Sequence, residues 1–212
     1  MSAFLLSGVV VFLCAYLLGS IPFGYLVGRF NGIDIRKYGS RNIGATNVTR
    51  VLGKGCGRFC FAGDFLKGVL AVLVVGIKIG GAMPLGVGIG WGGLIAAGAC
   101  IIGHMYPFWL DFKGGKGVAT SIGALAALAF WPLLIAVAVW YGLFKFTRIV
   151  SVASLGMALA APLSALILKW LGKSAVSWHT IALMTGIAVM IFWRHRENIV
   201  RLMQGKENAF RK

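Results

Sequence analysis

The chain has 212 residues, 59% of them hydrophobic and only 12% charged, with a mean hydropathy of +0.88; that charged share is about half of what soluble domains carry, which excludes an ordinary water-soluble globular enzyme. Its net charge of +16 comes from 21 Lys and Arg against five acids. The cations are split among short segments between apolar runs, which argues against a nucleic-acid groove and for anionic lipid or an anionic substrate.

Apolar runs cover 3–28, 65–82, 84–112, 118–144, 149–171 and 176–193, and several reach the roughly 20 residues that cross a bilayer. The first has no Lys or Arg before Arg29, so it lacks the basic start of a secretory signal peptide and reads as a retained helix. After it comes Gly39-Ser40-Arg41-Asn42-Ile43-Gly44-Ala45-Thr46-Asn47-Val48-Thr49-Arg50. Arg binds phosphate through a bidentate fork, and hydroxyls, amides and glycine N–H groups complete an oxyanion shell. Ser40, Asn42, Gly44, Thr46, Asn47 and Arg50 are therefore candidate ligands for a phosphate group; a polar loop resting on lipid headgroups is the plainer alternative. Further on, glycines at 76, 80, 81, 86, 88, 90, 92 and 93 would let helices approach closely.

Two long runs are joined by Asp111-Phe112-Lys113-Gly114-Gly115-Lys116-Gly117-Val118-Ala119-Thr120, preceded by Gly103-His104-Met105-Tyr106-Pro107. The spacing is not that of a nucleotide-binding Walker loop. The amides of Gly114, Gly115 and Gly117, followed by a helix start, still make an anion site, with Lys116 as its cation. Lys113 pairs equally well with Asp111 or a lipid phosphate, and His104 reads equally well as a structural histidine. Arg148, Ser151 and Ser154 form a weaker polar cluster at a run boundary, where hydroxyls often serve as helix caps. The last run leaves through Trp193-Arg194-His195-Arg196-Glu197-Asn198, where His195 is titratable and stands near Asn198.

All Lys and Arg except Lys78, Lys169 and Lys173 fall in four clusters, 29–67, 113–116, 145–148 and 194–212. The positive-inside rule puts all four in the cytoplasm. That requires the run 118–144 to cross twice, with a reversal near Phe130-Trp131-Pro132, although each half is short of a full crossing. The expectation is an all-α, polytopic membrane protein of seven transmembrane segments, N-terminus outside and C-terminus cytoplasmic. It forms a single domain over 1–212 with a frayed polar tail from 206, and all polar clusters lie on one face.

Absences narrow the chemistry. No carboxylate pair, Ser-His-Asp set or G-x-S-x-G elbow is evident, and no acidic cluster suggests a protein-held Mg²⁺ or Ca²⁺. Cys56 and Cys60 have no histidine or acid beside them, so the cysteines read as structural ones in a reducing compartment. What remains is a site that holds anions and positions them.

The segments GSIPFGYLVGR at 19–29, GSRNIGATNVTR at 39–50, GHMYPFWLDFKGGKGVATSIG at 103–123 and RHRENIVRLMQGKE at 194–207 closely resemble the bacterial acyl-phosphate:glycerol-3-phosphate acyltransferase family, nearly end to end. The resemblance implies an inner-membrane enzyme with its site facing the cytoplasm. It would move a fatty acyl group from acyl phosphate to the 1-hydroxyl of glycerol 3-phosphate, giving lysophosphatidate and phosphate. No cofactor or metal is implied; membrane lipids and a functional link to the enzyme producing acyl phosphate are. Carried onto this chain, the resemblance marks Ser40, Arg50, Lys116 and His195 as catalytic. Asn42, Gly44, Thr46, Asn47, Gly114, Gly115, Gly117, Ser151, Ser154 and Asn198 become substrate-binding, and Glu207 a terminal acid of structural character. The base is either His195 or the donor's own phosphate; no orienting carboxylate is evident beside His195, which favours the phosphate. A transporter for a phosphorylated or lipidic anion and a structural lipid-binding protein are the alternative classes, the former weakened by the scarcity of acids in the spans.

Overall fold

In lipid, backbone N–H and C=O groups must be satisfied within the segment itself, and this chain satisfies them as helices. The computed structural model describes residues 2–79, 90–174 and 176–210, and no strand occurs among them. Five stretches are long and apolar enough to cross a membrane: Leu5–Phe30, Ala45–Ile77, Gly90–Leu110, Phe130–Thr147 and Val150–Trp170. Val118–Leu128 and Trp178–Arg194 are apolar but shorter. The chain divides into two compact units, Met1–Leu128 and Ala129–Lys212.

In the first unit, α1 (Ser2–Gly19) and α2 (Phe23–Phe30) are separated at Ser20-Ile21-Pro22, because proline pushes its predecessor out of helical geometry. The apolar run expected to begin at 65 belongs to a helix that already starts at Ala45, α3 (Ala45–Leu70). Its cations Lys54 and Arg58 are exposed, and it breaks at Gly53 (φ 88°, ψ 172°), a backbone region nearly restricted to glycine. A π-helical stretch, Ala71–Ile79, continues it, followed by α4 (Gly90–Met105) and α5 (Val118–Leu128). Small residues let these backbones meet, as helix packing in lipid requires. A Cβ at Gly123 would stand 2.0 Å from the Phe65 carbonyl oxygen, and one at Gly76 would stand 2.7 Å from Gly93 Cα. Gly80, Gly81, Gly86 and Gly88 lie outside the described residues.

The second unit opens at Ala129 (φ −152°, ψ 62°), one residue before the expected break. Pro132 sits in the first turn of α6 (Phe130–Thr147), where a missing N–H removes no helical bond. With 11 residues, α5 extends about 16 Å at 1.5 Å per residue, well short of a roughly 30 Å hydrocarbon core. Arg148 and Ile149 alone join α6 to α7 (Val150–Trp170). Arg148 adopts φ 58°, and its N–H caps the Phe144 carbonyl at 2.8 Å; this left-handed cap reverses the chain in minimal length. Ser177 then N-caps α8 (Trp178–Arg194) by accepting the Thr180 N–H at 3.1 Å. A break at His195 leads to α9 (Arg196–Met203). Phe146, Trp170 and Trp193 are exposed, a placement suited to lipid and to the headgroup boundary rather than to water.

The tail corrects the expectation of fraying from 206. The Phe210 N–H donates to the Arg148 carbonyl at 2.8 Å, and its ring meets Phe144 edge-on with centroids 6.1 Å apart. Residues 211–212 lie outside the described residues.

Candidate functional site

The first polar element of unit 1 is the loop that feeds α3. Asn47, in the first turn of α3 and 1% exposed, shapes it. Its amide nitrogen faces the carbonyls of Asn42 at 2.9 Å, Tyr38 at 3.1 Å and Ile35 at 3.4 Å, while its oxygen accepts the Ser40 N–H at 2.8 Å. The amide is thus committed to backbone, not turned outward. Gly39 (φ 56°) makes room for it, since a Cβ there would stand 2.3 Å from Asn47 Oδ1. Asn42 Oδ1 accepts the Gly44 N–H at 2.8 Å, a local turn that sets Gly44 as the N-cap of α3. Ser40 is exposed, and Thr46 and Arg50 are half-buried along the start of α3, so a hydroxyl-bearing side chain and a guanidinium flank a helix N-terminus.

Nearby in sequence, Arg36 is already committed. It grips Asp34 through two guanidinium nitrogens, Nε at 3.0 Å from Oδ1 and Nη2 at 2.7 Å from Oδ2, and lies 4.7 Å over the Tyr25 ring. The hydrogen bonds from Arg36 outweigh burial and hold the Asp34 carboxyl down at about 2. Arg36 is thus tied to Asp34, while Arg41 is exposed in the loop and Arg50 is half-buried in the first turns of α3.

The second polar element of unit 1 is the glycine-lysine turn. Gly114 and Gly115 are buried and donate their N–H groups backward, to the Met105 carbonyl at 3.1 Å and the His104 carbonyl at 3.1 Å. These two amides hold the turn in place and are not turned outward to an anion, a departure from the role expected for them. Gly117 (φ 82°) then starts α5 by accepting the Ser121 N–H at 2.8 Å. Lys116 is half-buried between buried Gly115 and Gly117. Lys116 thus stands just before the N-terminus of α5, where the helix dipole and the first N–H groups favour an anion.

Unit 2 gathers its own cluster around Glu207. This carboxylate accepts from Ser151 Oγ at 2.8 Å, from the Asn198 amide, and from Arg201 Nε at 2.7 Å. Partial burial raises its pKa, but these hydrogen bonds outweigh burial and hold the carboxyl below the usual range. Ser154 is buried and accepts the Trp140 indole N–H at 3.4 Å. His195 is buried, and its Nδ1 lies 2.8 Å from the Ile191 carbonyl. A carbonyl only accepts, so Nδ1 carries the proton, and the lone pair of the neutral ring sits on Nε2. Ser151 and Asn198 are thus brought together by Glu207, the terminal acid of the segment 194–207.

Sequence reasoning also missed a buried ionic group in unit 1: Asp64, Lys67 and His104, all at or below 4% exposure. The positive-inside rule assigns Lys67 to the cytoplasmic cluster 29–67, whereas the structure buries it. The signal was present as an acid and a base three residues apart, which share one helix face.

Compared with known proteins, residues 9–205 match the family model described as glycerol-3-phosphate acyltransferase. The chain is similar to the glycerol-3-phosphate acyltransferase of Aquifex aeolicus, 41% identical with 92% of this chain and 95% of that protein covered. It is similar also to the one from Anaeromyxobacter dehalogenans, 44% identical with 95% and 96% covered. Its structure resembles the crystal structure of PlsY (YgiH), an integral membrane glycerol 3-phosphate acyltransferase, in the glycerol 3-phosphate form, with a TM-score of 0.83, 40% identity, and 97% and 96% of the two chains covered. The lysophosphatidic acid form of PlsY gives a TM-score of 0.81 at 39% identity, with the same coverage.

Proposed function

This chain belongs to the glycerol-3-phosphate acyltransferase family, that of the membrane enzyme PlsY, and on that premise we propose that it transfers a fatty acyl group from acyl phosphate to the 1-hydroxyl of sn-glycerol 3-phosphate. The products are 1-acyl-sn-glycerol 3-phosphate and inorganic phosphate. The observation that carries this reading is the glycine-lysine turn, a lysine held by two buried glycines at the N-terminus of α5.

An acyl phosphate is a mixed anhydride with a good leaving group, so no covalent enzyme intermediate is needed. The C1 hydroxyl oxygen attacks the acyl carbonyl carbon, the carbon–oxygen bond to phosphate breaks, and the hydroxyl proton leaves with the phosphate or through His195 Nε2. The enzyme's task is alignment and charge stabilisation. In this reading Lys116 takes the phosphate of glycerol 3-phosphate, and Arg50 and Ser40 stabilise charge on the phosphoryl groups. Thr46, Ser151, Ser154 and Asn198 orient substrate. Asn42, Gly44, Asn47, Gly114, Gly115 and Gly117 act through the shape of the backbone. The donor's phosphate is the preferred proton acceptor: the group facing His195 Nδ1 is a carbonyl, which raises ring basicity less than a carboxylate does.

Residues 1–212 work as one acyltransferase domain in this reading, since the family match runs through both units. The five long apolar stretches and two shorter ones, with the positive-inside rule, support seven segments, N-terminus outside, C-terminus and site cytoplasmic, in a bacterial inner membrane. A functional link to an acyl-phosphate-producing enzyme follows from the donor's reactivity. The test is donor choice by the purified protein. Transfer from palmitoyl phosphate and none from palmitoyl-CoA or an acyl carrier protein thioester is expected; transfer from a thioester alone would overturn the donor assignment.

A further inference from the structure

Asp64 and Lys67 form an ion pair of 2.9 Å with side chains 2% and 1% exposed. The same Asp64 oxygen lies 3.3 Å from His104 Nδ1, and Lys67 Nζ donates to the Ile21 carbonyl, in the break between α1 and α2, at 2.9 Å. A buried ion pair is a weak source of stability, since apolar residues of similar volume usually serve as well, and ionisable groups within membrane segments mark function by default. The far edge of the His104 ring shows what this group touches. A Cβ at Gly115 would stand 2.1 Å from His104 Nε2, so the turn lies directly on the imidazole. The His104 carbonyl accepts the Gly115 N–H as well, at 3.1 Å. Asp64 thereby orients the ring, the ring and its carbonyl seat Gly115, and the next residue is Lys116.

We propose that Asp64, Lys67 and His104 are positioning residues that set where the Lys116 ammonium meets the substrate phosphate; this rests on the assignment of that turn to glycerol 3-phosphate. None of the three touches substrate. Lys67 neutralises Asp64 and ties it to the α1–α2 break, Asp64 fixes the ring plane of His104, and His104 fixes the turn.

The test uses the purified full chain in detergent, with KM for both substrates, kcat and thermal unfolding measured for Asp64→Asn, His104→Ala, Gly115→Ala and the double variant Gly115→Ala/His104→Ala. Misplacing a binding group by about 1 Å can cost on the order of a hundredfold, so Asp64→Asn and His104→Ala should each raise KM for glycerol 3-phosphate about tenfold or more, with KM for acyl phosphate within about twofold. Gly115→Ala should act in the same direction, and removing the ring beside it should restore part of the loss. Unchanged KM values with lowered unfolding temperature would overturn the proposal. So would independent, multiplying effects of Gly115→Ala and His104→Ala, or loss of folded protein in all four variants. A wild-type protein that transfers no acyl group would overturn the functional reading itself, and the proposal with it.

Discussion

Replacing Glu207 tests whether one acid organises the polar cluster of unit 2. In Glu207→Gln the amide oxygen can stand where Oε1 accepts from Ser151 and Asn198, but its NH₂ then faces Arg201 Nε, which donates to Oε2 in the native protein. One charge-assisted bond is lost, worth about 1.5–3 kcal/mol, discounted because the Arg201 side chain is 36% exposed and can turn to water. The two bonds that remain become neutral and weaken by roughly half, for a total of about 2–3 kcal/mol. Glu207→Ala also leaves buried Ser151 and Asn198 without this acceptor, at about 1–3 kcal/mol each, and should cost about twice as much. The readout is hydrogen exchange at the Phe210 amide, which is bonded to the Arg148 carbonyl and reports opening of the tail. At tenfold per 1.4 kcal/mol, Glu207→Gln should lower its protection roughly 30- to 150-fold. Protection within about threefold of wild type for both variants, or a larger loss for Gln than for Ala, would refute the reasoning. The pH dependence has the same origin. The folded-state pKa of Glu207 is depressed, so its contribution is fully present above the unfolded carboxylate value and disappears as pH falls through the lower folded value.

Asn47→Ala should destabilise by about 2–4 kcal/mol, because it leaves the Ser40 N–H and buried carbonyls without their partner, and turnover should fall with it; unchanged thermal unfolding and activity would count against the loop-shaping role. Gly53→Ala meets no atom within 4 Å, so its cost is conformational alone, about 1–3 kcal/mol for this backbone region; unaltered stability would mean that the break in α3 is not held in solution. His195→Gln should keep substantial turnover if the donor phosphate takes the proton, whereas near-total loss with unchanged glycerol 3-phosphate affinity would assign the base to His195.

Elements built on uninterrupted apolar runs were legible in the sequence. The run 149–171 became α7 (Val150–Trp170), 176–193 became α8 (Trp178–Arg194), and the expected break near Pro132 fell at Ala129. The start of α3 was not legible, because Arg50, Lys54 and Arg58 interrupt hydrophobicity. A helix accommodates them by exposing Lys54 and Arg58 on one side and breaking at Gly53. Candidate residues were recognisable by type, but their division of labour was not. Asn47 and Asn198 look alike in sequence, yet Asn47 is spent on backbone carbonyls and Asn198 on Glu207. Such commitments depend on contacts between residues distant in sequence: Ser151 with Glu207, and Asp64 with His104. Periodicity and charge counting do not register pairs of that kind, whereas Asp64 and Lys67, three residues apart, are within reach of a sequence reading.

The central claim is direct acyl transfer between two anionic substrates. Its most direct test is the mass balance of one reaction: purified protein, acyl phosphate and glycerol 3-phosphate, with lysophosphatidate and inorganic phosphate quantified together over time. The account predicts the two products in equal amounts, dependent on glycerol 3-phosphate and strongly reduced in Lys116→Ala. Phosphate release without lysophosphatidate, or no turnover at all by folded protein, would contradict it.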